Sequence, residues 1–363
     1  MAMAGSPSVV IVYGTVLYDH AQLLAGVRSV VGADVTVVGC STQGVSRPGG
    51  VDEVERVVGV AVLSGVSARA AVVESIADDP RQAGLRLAEA LGPQRGSCPM
   101  LLWYDPLTGV DVDEMLEGLA AGGRPLVLGG AAGQAWGPMH RTYQFVDDRV
   151  MSGAAVGLHL EGVEILFDQT HGAESLGLEM TVTRSEGNVL QEIDGQPALS
   201  VWTDQLGAGR SNDVDELAAW PLGVALPEEE ASHYEGLISR AVFGLRHDTK
   251  EIVLQAPIPA GTRIHLCHRT QEAVFDGALA MARRLAARLE GVTPLLALPF
   301  ECAARPRPFL GEEASGREVR QMQEILGREV PWLGHFAWGE LAPIGGRTWF
   351  HNYTFPLAVF VPG

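Results

Sequence analysis

Apolar runs and amphipathic stretches alternate along the chain, and the period of each sets the element it predicts. "SVVIVYG" (8–14) is β-branched and apolar on both faces, the pattern of a buried strand. "DHAQLLAGVRSVV" (19–31) has helical spacing behind a capping Asp19, and "DVTVVGCSTQG" (34–44) is a strand entering a loop of small residues. Residues 56–77 read as two strands broken by glycine, a hairpin. A helix follows at 80–92, with Pro at its start and Gly at its end. Then come a strand (98–106), a helix (111–123), a strand entering a Gly/Ala loop (124–137), and two or three antiparallel strands over 141–168.

The second half opens with "LEMTVTR" (178–184), joined through the turn "SEGN" to the strand "VLQEIDG". "QPALSVWTDQL" is a helix, and 207–232, with "GAGRSND" and "PEEEASHYE", reads as surface loops. Three strand segments, "GLISRAVFGLRH", "EIVLQAPIP" and "TRIHLCHRT", precede a long amphipathic helix at 271–291. "TPLLALPFECA" is a strand, "EEASGREVRQMQEILG" a helix, and strands close the chain. The pattern predicts an α/β protein with mixed, largely antiparallel sheets flanked by helices. At 363 residues it exceeds what one core usually serves, so two domains are expected, at 1–170 and 171–363.

One echo points to duplication. Pro125 and Pro331 each open an apolar strand after a strand, a loop and a helix. An Arg-Thr-aromatic triplet follows each Pro at the same separation, at Arg141–Tyr143 and Arg347–Trp349.

Charge narrows the partners. A net charge of −18 repels phosphate backbones and anionic membranes, so neither nucleic acid nor a membrane is expected to bind. The N-terminus shows no signal peptide, and no apolar run is long enough to span a bilayer, which predicts a cytoplasmic protein. The four cysteines are far apart in sequence and are expected as free thiols.

Candidate chemistry gathers at strand ends, where α/β proteins build sites. Three small-residue loops, "GCSTQG" (39–44, with Cys40, Ser41 and Thr42), "GGAAGQ" (129–134, with Gly130 and Ala131) and "ECAARP" (301–306, with Glu301, Cys302 and Arg305), can turn backbone amides toward a ligand or can simply be tight turns. Cys302 lies near Arg305 and Arg307. It reads as a buried thiol, a pocket residue or a nucleophile, and the last needs a base; no His lies close in sequence, though His335 or His351 could approach through space. Glu340 in "WGEL" is expensive to bury unpaired and could meet Arg305 or a ligand amine; Asn352 is suited to hydrogen bonding inside a strand. "HLCH" (265–268) lacks the paired spacing of a zinc site, and His171 is a candidate for an axial haem ligand.

With these motifs in view, the chain resembles the FIST family, the paired N- and C-terminal FIST sensory domains of bacterial signal-transduction proteins. The resemblance rests on "VVGCSTQG", "LVLGGAAGQ" and "SGAAVGLHLEG" in the first half. In the second half it rests on "TVTRSEGNVLQEIDGQPAL", "LPFECAAR", "WLGHFAWGEL" and "NYTF". It implies sensing of a small ligand, with amino acids proposed, or of nitric oxide through haem. It also implies output through a separate partner, such as a kinase or a cyclic-di-GMP enzyme, because the two FIST-like halves take up the whole length. Glu301 replaces the family's usual Ser before the Cys, and His171 lies where a Cys-Arg-Pro is common. On this reading Cys302 lines a pocket with Arg305, Glu340 and Asn352, where Arg305 and Glu340 grip the two ends of a zwitterion. A thiol enzyme using Cys302 is the remaining alternative.

Overall fold

A computed structural model describes residues 5–94, 98–135, 140–206, 214–231 and 234–363. Strands β1 (Pro7–Gly14) and β2 (Thr36–Ser41) are parallel and joined by α1 (His20–Val31), whose first turn is capped by Asp19 accepting from the Gln22 amide. The short strands β3 (Val45–Arg47) and β4 (Gly50–Asp52), then β5 (Val58–Ser64), β6 (Ser67–Glu74) and α2 (Pro80–Leu91), follow. The same order returns as β7 (Met100–Tyr104), α3 (Val112–Ala121), β8 (Val127–Ala131), β9 (Gln144–Val146), β10 (Arg149–Met151), β11 (Ala154–Glu161) and β12 (Val163–Asp168).

An insert comes next: β13 (Ala173–Glu186), β14 (Val189–Ile193), β15 (Gln196–Pro197), α4 (Ala198–Leu206), α5 (Val214–Leu217), β16 (Leu222–Ala225), α6 (Glu228–Ala231), β17 (Leu237–Arg240), β18 (Val242–Arg246), β19 (Glu251–Leu254) and β20 (Arg263–Arg269). Its strands form one eight-stranded antiparallel sheet. After α7 (Gln271–Leu289) the order returns a third time as β21 (Leu296–Cys302), α8 (Glu312–Leu326), β22 (Gly334–Ala337), β23 (Glu340–Ile344), β24 (Arg347–His351) and β25 (Leu357–Pro362).

The three repeats make three sheets on one plan: β10-β9-β2-β1-β5, β24-β23-β8-β7-β11-β6, and β4-β3-β22-β21-β25-β12. A parallel pair lies inside each (β1/β2, β7/β8, β21/β22), with an antiparallel strand beside its first member and a hairpin beside its second. The hairpins are exchanged in a ring. β3–β4 leaves β2 to join β22, β9–β10 leaves β8 to join β2, and β23–β24 leaves β22 to join β8. The layout is a pseudo-threefold ring with the insert between its second and third units.

This confirms mixed, largely antiparallel sheets with flanking helices and refines the sequence reading. β8 and β22 occupy matching places, as the Pro125/Pro331 echo predicts, but β2 is a third copy. The triplets do not match: Arg141–Tyr143 precede β9, whereas Arg347–Trp349 open β24. The expected hairpin at 56–77 is not one, because β5 pairs with β1 and β6 with β11, in different sheets. Strands from both sides of residue 170 share the second and third sheets. The "GAGRSND" loop lies outside the described residues.

The inward faces meet on the axis. Tyr13, Trp103 and Phe300 hold equivalent places, opposite Cys40, Gly130 and His335 on the parallel neighbours. The Trp103 indole donates to the Tyr13 hydroxyl at 3.2 Å, and the Tyr13 and His335 rings stack at 4.7 Å. All six residues are buried, and the aromatic rings pack against one another on the axis.

Candidate functional site

The small-residue loops that follow β2 and β8 do converge, together with the turn between β22 and β23, but they bind each other. The Ser41 hydroxyl donates to the Gly133 carbonyl at 2.8 Å and the Gly133 amide returns a bond to the Ser41 carbonyl at 2.8 Å. The Phe336 amide donates to the Thr42 hydroxyl at 3.1 Å, and the Ala131 amide to the Gly339 carbonyl at 2.8 Å. A side chain at Gly130 would bring its Cβ within 2.6 Å of the Ala337 Cβ. The Cys40 sulfur faces the His335 Nδ1 at 3.9 Å inside the core, where burial raises the thiol pKa far above its ordinary value. Cys40, Ser41, Thr42, Gly130 and Ala131 therefore seal the junction of three units; the residues are small because three backbones touch, and these amides do not face a ligand.

Arg305 is not a ligand arginine. It is fully buried, with Nη1 2.7 Å from Glu301, Nη2 3.1 Å from Glu318 on α8, and its guanidinium over the Phe355 ring. Burial alone would pull its pKa down, but Glu318 and Glu301 outweigh that and hold it above its ordinary value. Glu301 is thus consumed as a structural counter-ion, and burial followed by the Glu318 charge pushes its own pKa up. Asn352 is also structural: its oxygen accepts from the Ala241 amide at 3.0 Å, and its amide nitrogen donates to Gln255 at 2.7 Å.

Glu340 does not pair with Arg305. One oxygen accepts from the Gly339 amide at 3.2 Å, the other from the Thr354 amide at 3.1 Å and hydroxyl at 2.8 Å. Burial pushes its pKa up to about 8 against these bonds, which include one from the Cys302 thiol. Cys302 is buried, and burial followed by the Glu340 charge raises its thiol pKa well above the ordinary value. A carboxylate at the sulfur and a thiol pKa raised by burial are the reverse of what a nucleophilic cysteine requires.

The missed residue is Arg269, at the end of β20. It is 1% exposed, its guanidinium lies between the Phe309 ring at 4.4 Å and the Tyr353 ring at 4.5 Å, and Nη1 donates to the Ala218 carbonyl at 2.9 Å. Nε and Nη2 are buried with no hydrogen-bond partner among the described residues. Burial pulls the Arg269 pKa down to about 10, and Cys302 and Glu340 are among the groups whose charge acts on it. Tyr353 is held at φ +61°, in the left-handed region that a bulky residue rarely adopts. The signal for Arg269 was in the sequence. It directly precedes Thr270, the cap of α7, so a cation sits at the helix end whose dipole favours anions. Arg269, Phe309, Tyr353, Cys302 and Glu340 lie together, largely buried, at the seam between the insert and the third unit.

His171 does not fit an axial haem role. It is buried, its Nδ1 accepts from the Ala173 amide at 2.8 Å, and its Nε2 lies 3.0 Å from the Glu235 carboxylate. Among the described residues no cluster of three or more His, Cys, Asp or Glu side chains is placed to hold a metal ion. Among them too, no helix is long and apolar enough to cross a membrane.

The model of the FIST N domain matches residues 8–196, and that of the FIST C domain matches residues 198–343. The chain belongs to the FIST family. FIST domains are sensory domains of signal transduction. The FIST N match runs through β14, and Arg269, Cys302 and Glu340 fall in the FIST C match, with Tyr353 beyond it. Uncharacterised proteins of Mycobacterium bovis and of a Mycobacterium tuberculosis strain are each 28% identical over 223 residues, 61% of this chain and 56% of theirs. A further uncharacterised M. tuberculosis protein is 27% identical over 223 residues, 61% of this chain and 57% of its own. The FIST chain thus spans about half the length of the curated relatives it matches.

Proposed function

We propose that this FIST chain is a sensory module for a small zwitterion, an amino acid, and that it signals through a separate protein such as a kinase or a cyclic-di-GMP enzyme. The observation that carries the reading is Arg269, a buried cation sandwiched by two rings with two donors unsatisfied. An unpaired buried charge costs several kcal/mol, and a ligand carboxylate accepting from Nε and Nη2 offsets that cost. Glu340, close to the same thiol, takes the ammonium. With a pKa near 8 it is mostly protonated at neutral pH, and an arriving ammonium lowers that pKa and releases a proton.

A thermal-shift screen of amino acids tests this. A ligand at 100 times its Kd stabilises by about 2.7 kcal/mol, which raises Tm by about 2–4 °C in a domain of this size. Arg269→Met should fold and lose the shift, and calorimetry of the wild type in buffers of different ionisation heat should show proton release. A panel with no active amino acid, or an Arg269→Met protein that keeps the shift, sinks the proposal. A Soret band in the purified protein would replace it with haem-based sensing through a ligand other than His171.

A further inference from the structure

The ring's three sheets match except at one edge. In the second sheet the outer edge of β11 carries β6, and in the third the outer edge of β25 carries β12, both antiparallel. The equivalent strand of the first sheet, β5, carries no strand on its outer edge among the described residues. Next to that edge a groove of about 480 Å³ runs between α1 and the β1–β5 pair, lined chiefly by Leu23, Val27, Val30, Val60 and Val62. Val30 is 78% exposed, Val60 47% and Val62 41%. β5, "VGVAVLS", contains neither the Lys nor the Pro that natural proteins use to blunt an open edge.

We propose that β5 pairs antiparallel with β5 of a second copy of this chain, across a two-fold axis through Ala61, so that the first sheet continues from one protomer into its partner and the two α1 grooves close on each other. Three observations select a second copy. The fold itself fills this position with an antiparallel strand in both matching sheets. "VAV" (60–62) reads the same in both directions, so antiparallel self-pairing sets Val60 of one protomer against Val62 of the other on a single face. The charge argument is the third. Two molecules of net charge −18 repel, yet no ionisable side chain lines this groove, so copies can meet here without opposing carboxylates. The contact is isologous and closed, which limits assembly to a dimer.

Size-exclusion chromatography with light scattering on the full chain should give twice the 38.6 kDa monomer mass. Val62→Lys puts like charges on both sides of the axis and should give the monomer. Val292→Lys, at a valine 46% exposed beyond α7, should stay dimeric. If Val62→Lys does not fold, Val30→Glu on α1 makes the same test from the helix side. Ala61→Cys reads the register: Ala61 is half-buried whereas the four native cysteines are buried, and a thiol there, on the two-fold axis beside its copy, should cross-link on mild oxidation. A monomeric wild type overturns the proposal. So does a dimer that survives both charge variants, or one in which Cys at position 61 fails to cross-link.

Discussion

Two arginines of this protein are buried to the same degree, and each lies over an aromatic ring and donates to a backbone carbonyl, yet they differ in counter-charge. Arg305 lies between Glu301 and Glu318, and Arg269 between two aromatic rings with no carboxylate within ion-pair distance among the described residues. The first has its counter-charges built in and acts as a strut that fixes α8 to β21. The second is matched by dispersion and ring quadrupoles but not by charge, which leaves it able to discriminate among molecules that bring one. Burial alone does not separate the two roles; the count of acceptors around each guanidinium does.

The sharpest way to break this comparison is to remove the strut. Arg305→Met leaves Glu301 and Glu318 buried together and should cost about 3–5 kcal/mol in urea unfolding. Adding Glu301→Gln and Glu318→Gln to the same chain should recover part of that loss. A cost near zero would make Arg305 the free arginine after all.

Glu340 gives the next effect. Its folded pKa of about 8 is above the ordinary 4.5, so the folded state holds this proton more tightly. Its contribution to stability is therefore full below about pH 4.5 and is lost as pH rises through 8, with a slope of up to about 1.4 kcal/mol per pH unit. His335 and His351, pulled by burial from 6.5 to about 3, work in the opposite sense: their contribution is full above 6.5 and is lost as pH falls toward 3. Between pH 6.5 and 8 Glu340 shares its slope with Glu301, whose pKa burial also raises well above the ordinary value. Glu340→Gln should reduce the slope in urea midpoints, and an unchanged slope would assign it to Glu301 or another buried carboxyl.

A smaller effect is expected at Arg269. Arg269→Met gives up a carbonyl bond and two ring contacts but removes an unpaired buried charge, so the net change should stay within about 1 kcal/mol. A loss as large as that of Arg305→Met would erase the distinction between the two arginines. Smallest of all should be Cys302→Ser, below about 1 kcal/mol, because a hydroxyl can keep the bond to Glu340. Mass spectrometry after iodoacetamide treatment of the folded wild type should find Cys302 unmodified; rapid labelling would restore the case for a reactive thiol.

Most elements were legible in the sequence because period, caps and turns are local. Asp19, Pro80 and Thr270 start helices in the structure, and "SEGN" makes the hairpin between β13 and β14. Pairing was not legible: nothing in the alternation of "VSRPGGVD" (45–52) says that its sheet is built around residues 296–337. The site was half legible. The cost of burying Glu340 marks it in the sequence, whereas the basic residues clustered near Arg305 point to the wrong arginine. Its true partner, Glu318, shares the buried stripe of α8 with Ser315, Val319 and Met322, a position where an acid needs a cation. Arg269 reads from sequence only as the last residue of a strand.

The exchanged hairpins carry a consequence for how the protein is made. β3 pairs with β22 through contacts such as Val45 to His335, so a hairpin translated early has no sheet until β22, far downstream, has left the ribosome. The second sheet likewise waits for β23 and β24, far downstream of the β7 and β8 they complete. Contacts this distant in sequence slow folding and leave strand edges bare in the meantime. Once closed, the ring interlocks, because each unit holds a hairpin of a neighbour and none can peel away without opening two sheets. Nascent FIST chains should therefore lean on chaperones, while the finished molecule resists proteases until it unfolds as a whole.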